Sequence, residues 1–165
     1  MSCLAIGPGL GRSAGVTEFV QGALAASRVP TVVDADALWA LSRDMSSLED
    51  AACPWSSHRT RGVRHAGRAC STATGSLPRA ALPRAGAVRV VLKGSGSVVA
   101  FPDGECYVNQ TGNPGMARGG SGDVLTGLMA AMLCQLPFRD AVRAAVYIRT
   151  AWLGIWRRGS SENTA

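Results

Sequence analysis

The chain has little acid in its middle and almost no lysine. No Asp or Glu lies between Asp50 and Asp103, and Lys93 is the single lysine among 17 basic residues. The five cysteines (Cys3, Cys53, Cys70, Cys106, Cys134) are odd in number, scattered and without a C-x-x-C pair. That pattern argues against a disulfide framework or a zinc site and fits a reducing cytoplasm. No apolar run reaches the ~18–20 residues of a membrane span. The opening Met1-Ser2-Cys3-Leu4 lacks the charged-then-apolar order of a signal peptide. What is present is 165 residues, 47% of them hydrophobic, which suits one domain with a real core and excludes wholesale disorder.

The net charge of +6 invites a nucleic-acid reading, so its location matters. Residues 52–85 hold Arg59, Arg61, Arg64, Arg68, Arg79 and Arg84, and residues 149–165 add Arg149, Arg157 and Arg158 against Glu162 alone. Setting those nine basic residues and one acid aside leaves 8 basic against 10 acidic residues. The basic character therefore belongs to two segments and not to the domain.

Hydrophobic periodicity orders most of the rest. Cys3–Ile6 reads as a short buried strand that enters the turn Gly7-Pro8-Gly9-Leu10-Gly11. Val16, Phe19, Val20, Ala23 and Leu24 form a helical stripe. Pro30–Asp34 is a β-branched strand, and Ala35–Leu41 opens another helix. Strand, helix, strand, helix predicts an α/β fold with parallel pairing. From Ala52 to Ala85 no period survives, a length improbable for a structureless insert. Val88–Lys93, Ser97–Phe101 and Cys106–Asn109 then read as strands. Leu125, Leu128, Met129, Met132 and Leu133 stripe one helix, and Phe138, Val142, Ala145 and Val146 start a last one. Beyond Ile148 no period is evident.

The run Gly119-Gly120-Ser121-Gly122-Asp123 sits where strands hand over to an apolar helix. A helix start presents unpaired N–H groups and a positive partial charge, and glycines let an anion approach the backbone. Asp123 falls in the first turn, where it can take a proton from a substrate hydroxyl or simply cap the helix. Lys93, at a strand end before Gly94-Ser95-Gly96, reads as a phosphate contact or as a solvated lysine. Gly7–Gly11 lacks the G-x-G-x-x-G spacing but can still meet a dinucleotide. Asp34 and Asp36 flank a strand end, as ligand-binding groups or as helix caps. His58 and His65 read as solvated.

Four stretches together resemble the ADP-dependent NAD(P)H-hydrate dehydratase family. They are Ala5-Ile6-Gly7-Pro8-Gly9-Leu10-Gly11, Val32-Val33-Asp34-Ala35-Asp36-Ala37-Leu38, Val91-Leu92-Lys93-Gly94 and the long block from Gly112 to Gly127. The resemblance covers about residues 3–50 and 87–148. It implies a ribokinase-like three-layer sandwich with a mostly parallel central sheet, incomplete at the N-terminus, because the family's part before the glycine turn is absent. It implies a lyase that repairs the (S)-form of hydrated NADH or NADPH, with ADP as phosphoryl donor and AMP and phosphate as products. By the same resemblance Asp123 is the base and contacts substrate, and Gly9 and Gly11 meet the hydrated dinucleotide. Lys93, Gly94, Ser95, Gly96, Ser97, Asn113, Gly120, Ser121 and Gly122 line the nucleotide. Mg²⁺ is expected with the nucleotide, although no acidic cluster identifies ligands for it. A homo-oligomer is compatible with the resemblance, whereas a membrane or nucleic-acid partner is not expected.

Two family signatures are missing: a T-P-H-P-G loop after the Asp34 helix, and H-G-x-A-G-D after Val146-Tyr147. Both belong where the composition changes. Back-translating Pro54–Arg61 and reading from the third base permits Val-Val-Leu-Thr-Pro-His-Pro-Gly. The same operation on Arg149–Trp156 permits His-Gly-Leu-Ala-Gly-Asp-Leu. One cause, out-of-frame translation of about residues 52–85 and 149–165, explains the arginine excess, the missing acids and the lost signatures. The expected organisation is a partial dehydratase domain over 1–148, interrupted at 52–85 and followed by an aberrant tail. Such a chain is expected to fold poorly and to be weakly active or inactive. Sequencing the DNA tests this: third bases that forbid the shifted readings end it. The nearest alternative function is a kinase of the same superfold acting on a small alcohol such as a vitamin precursor. A basic nucleic-acid-binding module is a more distant one, lacking aromatic interleaving.

Overall fold

The computed structural model describes residues 2–42, 54–58, 89–94, 96–101, 103, 105–113, 116 and 118–160, with backbone alone for 54–58, 89 and 152–160. The segment from Arg59 to Arg84, with His65, and the residue Ser95 lie outside the described residues, as does the side chain of His58.

Six strands form one sheet in chain order. They are β1 (Leu4–Ile6), β2 (Thr31–Asp34), β3 (Pro54–His58), β4 (Arg89–Leu92), β5 (Ser97–Ala100) and β6 (Cys106–Asn109). β1 to β4 pair in parallel, and β5 and β6 add as antiparallel strands at one edge. The helices are α1 (Ala14–Ala26), α2 (Ala35–Leu41), α3 (Ser121–Leu133) and α4 (Phe138–Ser160).

Neighbouring side chains on β2 show how the layers arise. Successive residues of a strand face opposite sides of the sheet. Val33 joins Ile6, Val20, Leu24, Ala37, Ala40 and Leu41 in a core under α1 and α2. Val32 joins Val91, Val99, Phe101, Leu125, Met129 and Val142 in a core under α3 and α4. Both faces of the parallel strands are thus covered, giving helix, sheet and helix layers. Beside the second core, Arg139 pairs with Asp103 and Glu105 and lies over the Phe101 ring. The hydrogen bond from Arg139 holds the Asp103 carboxyl below its ordinary range.

Three expectations need correction. The stretch from Ala52 was expected to carry no regular structure, yet Pro54–His58 forms β3 in parallel register between Thr31–Asp34 and Arg89–Leu92. A ladder is made by backbone groups, so a strand slot with partners on both sides admits a sequence that lacks a strand's pattern. The tail from Arg149 was expected to lack helical period, yet α4 runs on to Ser160 and buries Arg149 and Thr150. Those two polar residues continue the stripe of Val142 and Val146 on one helix face, which hydrophobicity alone conceals. Phe19 was placed on the buried face of α1 but is 58% exposed, whereas Val20 and Leu24 carry the packing.

Candidate active site

The parallel strands β1, β2 and β4 all end at one edge of the sheet, where α/β folds gather ligand-binding groups. Three pieces meet there. The first is the turn after β1. Gly7 has φ of +135°, and a Cβ built on it would lie 1.8 Å from the carbonyl oxygen of Asp34, so only glycine fits. Gly9 and Gly11 also hold positive φ and are exposed. The Gly11 amide donates to Asp36 Oδ2 at 3.0 Å, and Arg12 Nε donates to Asp36 Oδ1 at 3.2 Å. Asp36 therefore ties the glycine turn to the start of α2.

The second piece is Asp34, the last residue of β2 and the N-cap of α2. Its Oδ1 accepts from the Ala35 amide at 2.8 Å. Its Oδ2 accepts from Lys93 Nζ at 2.7 Å and from Thr126 Oγ1 at 2.7 Å. Asp34 is 2% exposed, so this is a buried ion pair. Lys93 is thus not the solvated strand-end lysine that one sequence reading allowed. The next residue, Ala35, has φ of +47°, a left-handed backbone costly for a residue with a Cβ and of the sort that collects at functional sites.

The third piece is the start of α3. Gly120 is its N-cap, with φ of +81° and no capping side chain. The Ser121 amide turns back to the Arg118 carbonyl at 3.4 Å, so the Gly122 and Asp123 amides are the ones left for an anion. Asp123 is exposed in that turn and does not cap the helix. A Cβ at Gly122 would sit 3.2 Å from Lys93 Nζ, so the missing side chain lets the ammonium lie against the helix start. Thr126 Oγ1, one turn along, also lies 3.2 Å from the Gly122 carbonyl oxygen. From α4, Arg149 Nε and Nη2 donate to the carbonyl and the hydroxyl of Ser121, both at 3.0 Å. Burial lowers the Arg149 guanidinium below its ordinary value, and the charge of Asp34 draws it partly back.

The structure therefore brings Lys93, Gly120, Ser121, Gly122 and Asp123 together. Gly94 and Gly96 are exposed beside them, whereas the buried Ser97 hydroxyl turns inward to the Gly94 carbonyl at 3.3 Å. Asn113 is half-buried, and its carbonyl accepts from the Met116 amide at 3.1 Å. Sequence reasoning missed Thr126 and Arg149. Thr126 lies three residues past Asp123 inside the long glycine block, a usable signal, whereas nothing local marks Arg149.

The profile of one family, NAD(P)H-hydrate dehydratase, matches residues 1–56 and 74–154. The chain belongs to the NAD(P)H-hydrate dehydratase family. Among its relatives, the bifunctional NAD(P)H-hydrate repair enzyme Nnr of Moorella thermoacetica is 43% identical over 166 residues, covering 98% of this chain and 30% of the relative. A crystal structure of the ADP/ATP-dependent NAD(P)H-hydrate dehydratase of Bacillus subtilis, co-crystallised with ATP/Mg²⁺ and soaked with CoA, superposes with a TM-score of 0.69 at 30% identity. It matches over 94% of this chain and 57% of its own length. A ribokinase-like superfamily protein from Enterococcus faecalis superposes with a TM-score of 0.75 at 26% identity, over 91% and 54%. The fold is ribokinase-like, as the resemblance implied. The chain spans about 30% of the length of the bifunctional relatives that match most of it and 55% of the Lactiplantibacillus plantarum dehydratase. The family profile skips residues 57–73, which fall inside the arginine-rich segment.

Proposed function

We propose that this chain carries the site for ADP-dependent dehydration of the (S)-form of hydrated NADH or NADPH, restoring the reduced coenzyme and releasing AMP and phosphate. The observation that carries the reading is the uncapped start of α3, with Asp123 exposed in its first turn and Lys93 beside Gly122. The substrate hydroxyl gives its proton to Asp123 while its oxygen attacks the terminal phosphoryl group of ADP. The first-turn amides and Lys93 take up the charge that develops on the phosphoryl oxygens. Phosphate is a better leaving group than hydroxide, so the ring nitrogen's lone pair expels it from C6, a C5 proton passes to water or to the departing phosphate, and the ring recovers its double bond. Gly9 and Gly11 leave room for the coenzyme at the end of β1, and Asn113 and the Lys93–Ser97 turn border the nucleotide.

Among the described residues no group of three or more His, Cys, Asp or Glu side chains could hold a metal ion. Asp34 is committed to Lys93 and Thr126. Mg²⁺ bound to the nucleotide phosphates, keeping most of its waters, suits such a site, because it needs few protein ligands. A reducing cytoplasm is the proposed setting. The odd number and scatter of the cysteines support that setting.

The test is coupling between the two substrates. ADP is converted to AMP only when hydrated NADH or NADPH is present, and absorbance of the restored dihydronicotinamide rises in step with AMP. Conversion of ADP or ATP with a small alcohol in place of the hydrate would establish the kinase reading instead.

We propose further that residues of about 52–85 and 149–165 are read out of frame. The gap in the family match at 57–73 supports it for that stretch, while the match takes in 52–56, 74–85 and 149–154. So does β3, which starts at Pro54, where the shifted reading writes Val-Val-Leu-Thr. The loop histidine implied by the family is then absent, and this chain turns over slowly while keeping its nucleotide site.

A further inference from the structure

We propose that Thr126 and Asp34 are positioning residues that aim the Lys93 ammonium at the phosphoryl group held at the start of α3. The inference rests on the reading of that helix start as the nucleotide's phosphate site. Its basis is a convergence of bonds on one carboxylate oxygen. Asp34 Oδ2 accepts from Lys93 and from Thr126, each at 2.7 Å, while Oδ1 is fixed by the Ala35 amide. Both oxygens are therefore held, and the carboxylate cannot swing.

Lysine carries a flexible four-carbon stem, and ordering it costs up to ~2 kcal/mol of rotamer freedom. Here that ordering is done before any ligand arrives. An ammonium has three donors, of which Asp34 takes one. The tip lies 3.2 Å from where a Cβ on Gly122 would stand, in the turn that presents its amides to the anion. The Thr126 hydroxyl, whose one proton goes to Asp34, also lies 3.2 Å from the Gly122 carbonyl oxygen, so it sits between the carboxylate and the helix start. The three residues come from β2, the end of β4 and α3, and Asp34 lies 59 residues from Lys93 and 92 from Thr126.

A double-mutant cycle on ADP binding, read by calorimetry on the whole chain, tests this. Thr126→Val changes no charge, so any effect on an anion is through position. It weakens ADP binding on the order of tenfold, and Thr126→Ser restores it to within about twofold. In a Lys93→Gln background, Thr126→Val costs less than about twofold, because the residue it acts through is gone. Equal losses in the two backgrounds would overturn the inference and assign Thr126 to stability alone. If Lys93→Gln does not fold, the Val and Ser exchanges decide, and unaltered ADP affinity in Thr126→Val overturns it. Failure of the parent chain to bind ADP would instead remove the phosphate-site reading and the inference with it.

Discussion

Asp123→Asn lowers turnover of the hydrated coenzyme by about 10²- to 10⁴-fold, the usual contribution of a positioned general base. The amide keeps the shape of the side chain and loses the ability to take the substrate proton. ADP affinity is unchanged or tighter, because a negative charge beside the phosphates has been removed. Stability moves little, since Asp123 is exposed and caps nothing, so its loss removes only a favourable carboxylate at a helix start, about 0.3–1 kcal/mol. Because this chain's own rate is expected to be low, the exchange is also made at the aligned aspartate of the Bacillus subtilis dehydratase. Turnover within threefold of the parent enzyme there would dismiss Asp123 as the base.

Lys93→Met has a different effect, and its readout is unfolding. The methionine fills the stem but leaves the Asp34 carboxylate buried without its cation. Breaking one side of such a pair costs about 3–5 kcal/mol, a large share of a domain's stability. The urea midpoint therefore falls sharply. Asp34→Asn in the same background recovers part of the loss, since it removes the stranded charge. A loss under about 1 kcal/mol would mean that the buried Arg149 guanidinium, whose charge interacts with Asp34, suffices as the counter-ion.

Elements whose side chains alternate or recur regularly were legible in the sequence. β2, β5, β6, α2 and the buried face of α3 lie where the pattern puts them. The glycine-rich helix start and its aspartate were legible too, because a close anion approach needs glycine and a first-turn carboxylate needs only spacing. β3 was not, since its neighbours on both sides, and not its own residues, define its slot. The end of α4 was not either. Thr150 is buried because Asn109 Nδ2 donates to its hydroxyl at 2.8 Å, and Arg149 because Ser121 accepts from it. Each is a polar residue whose partner lies far away in the chain.

The local pattern of residues determined the α/β class, the glycine-rich helix start at Gly120–Gly122 and the aspartate in its first turn, since period, glycine and helix-end chemistry act over a few residues. Only the tertiary structure decided that Lys93 is a buried, paired cation, that Asp34 is its counter-ion and that Thr126 and Arg149 meet at the start of α3. Those facts depend on which strand ends the sheet brings side by side. A charge is stabilised or stranded by what stands within a few ångströms of it, whatever the separation along the chain.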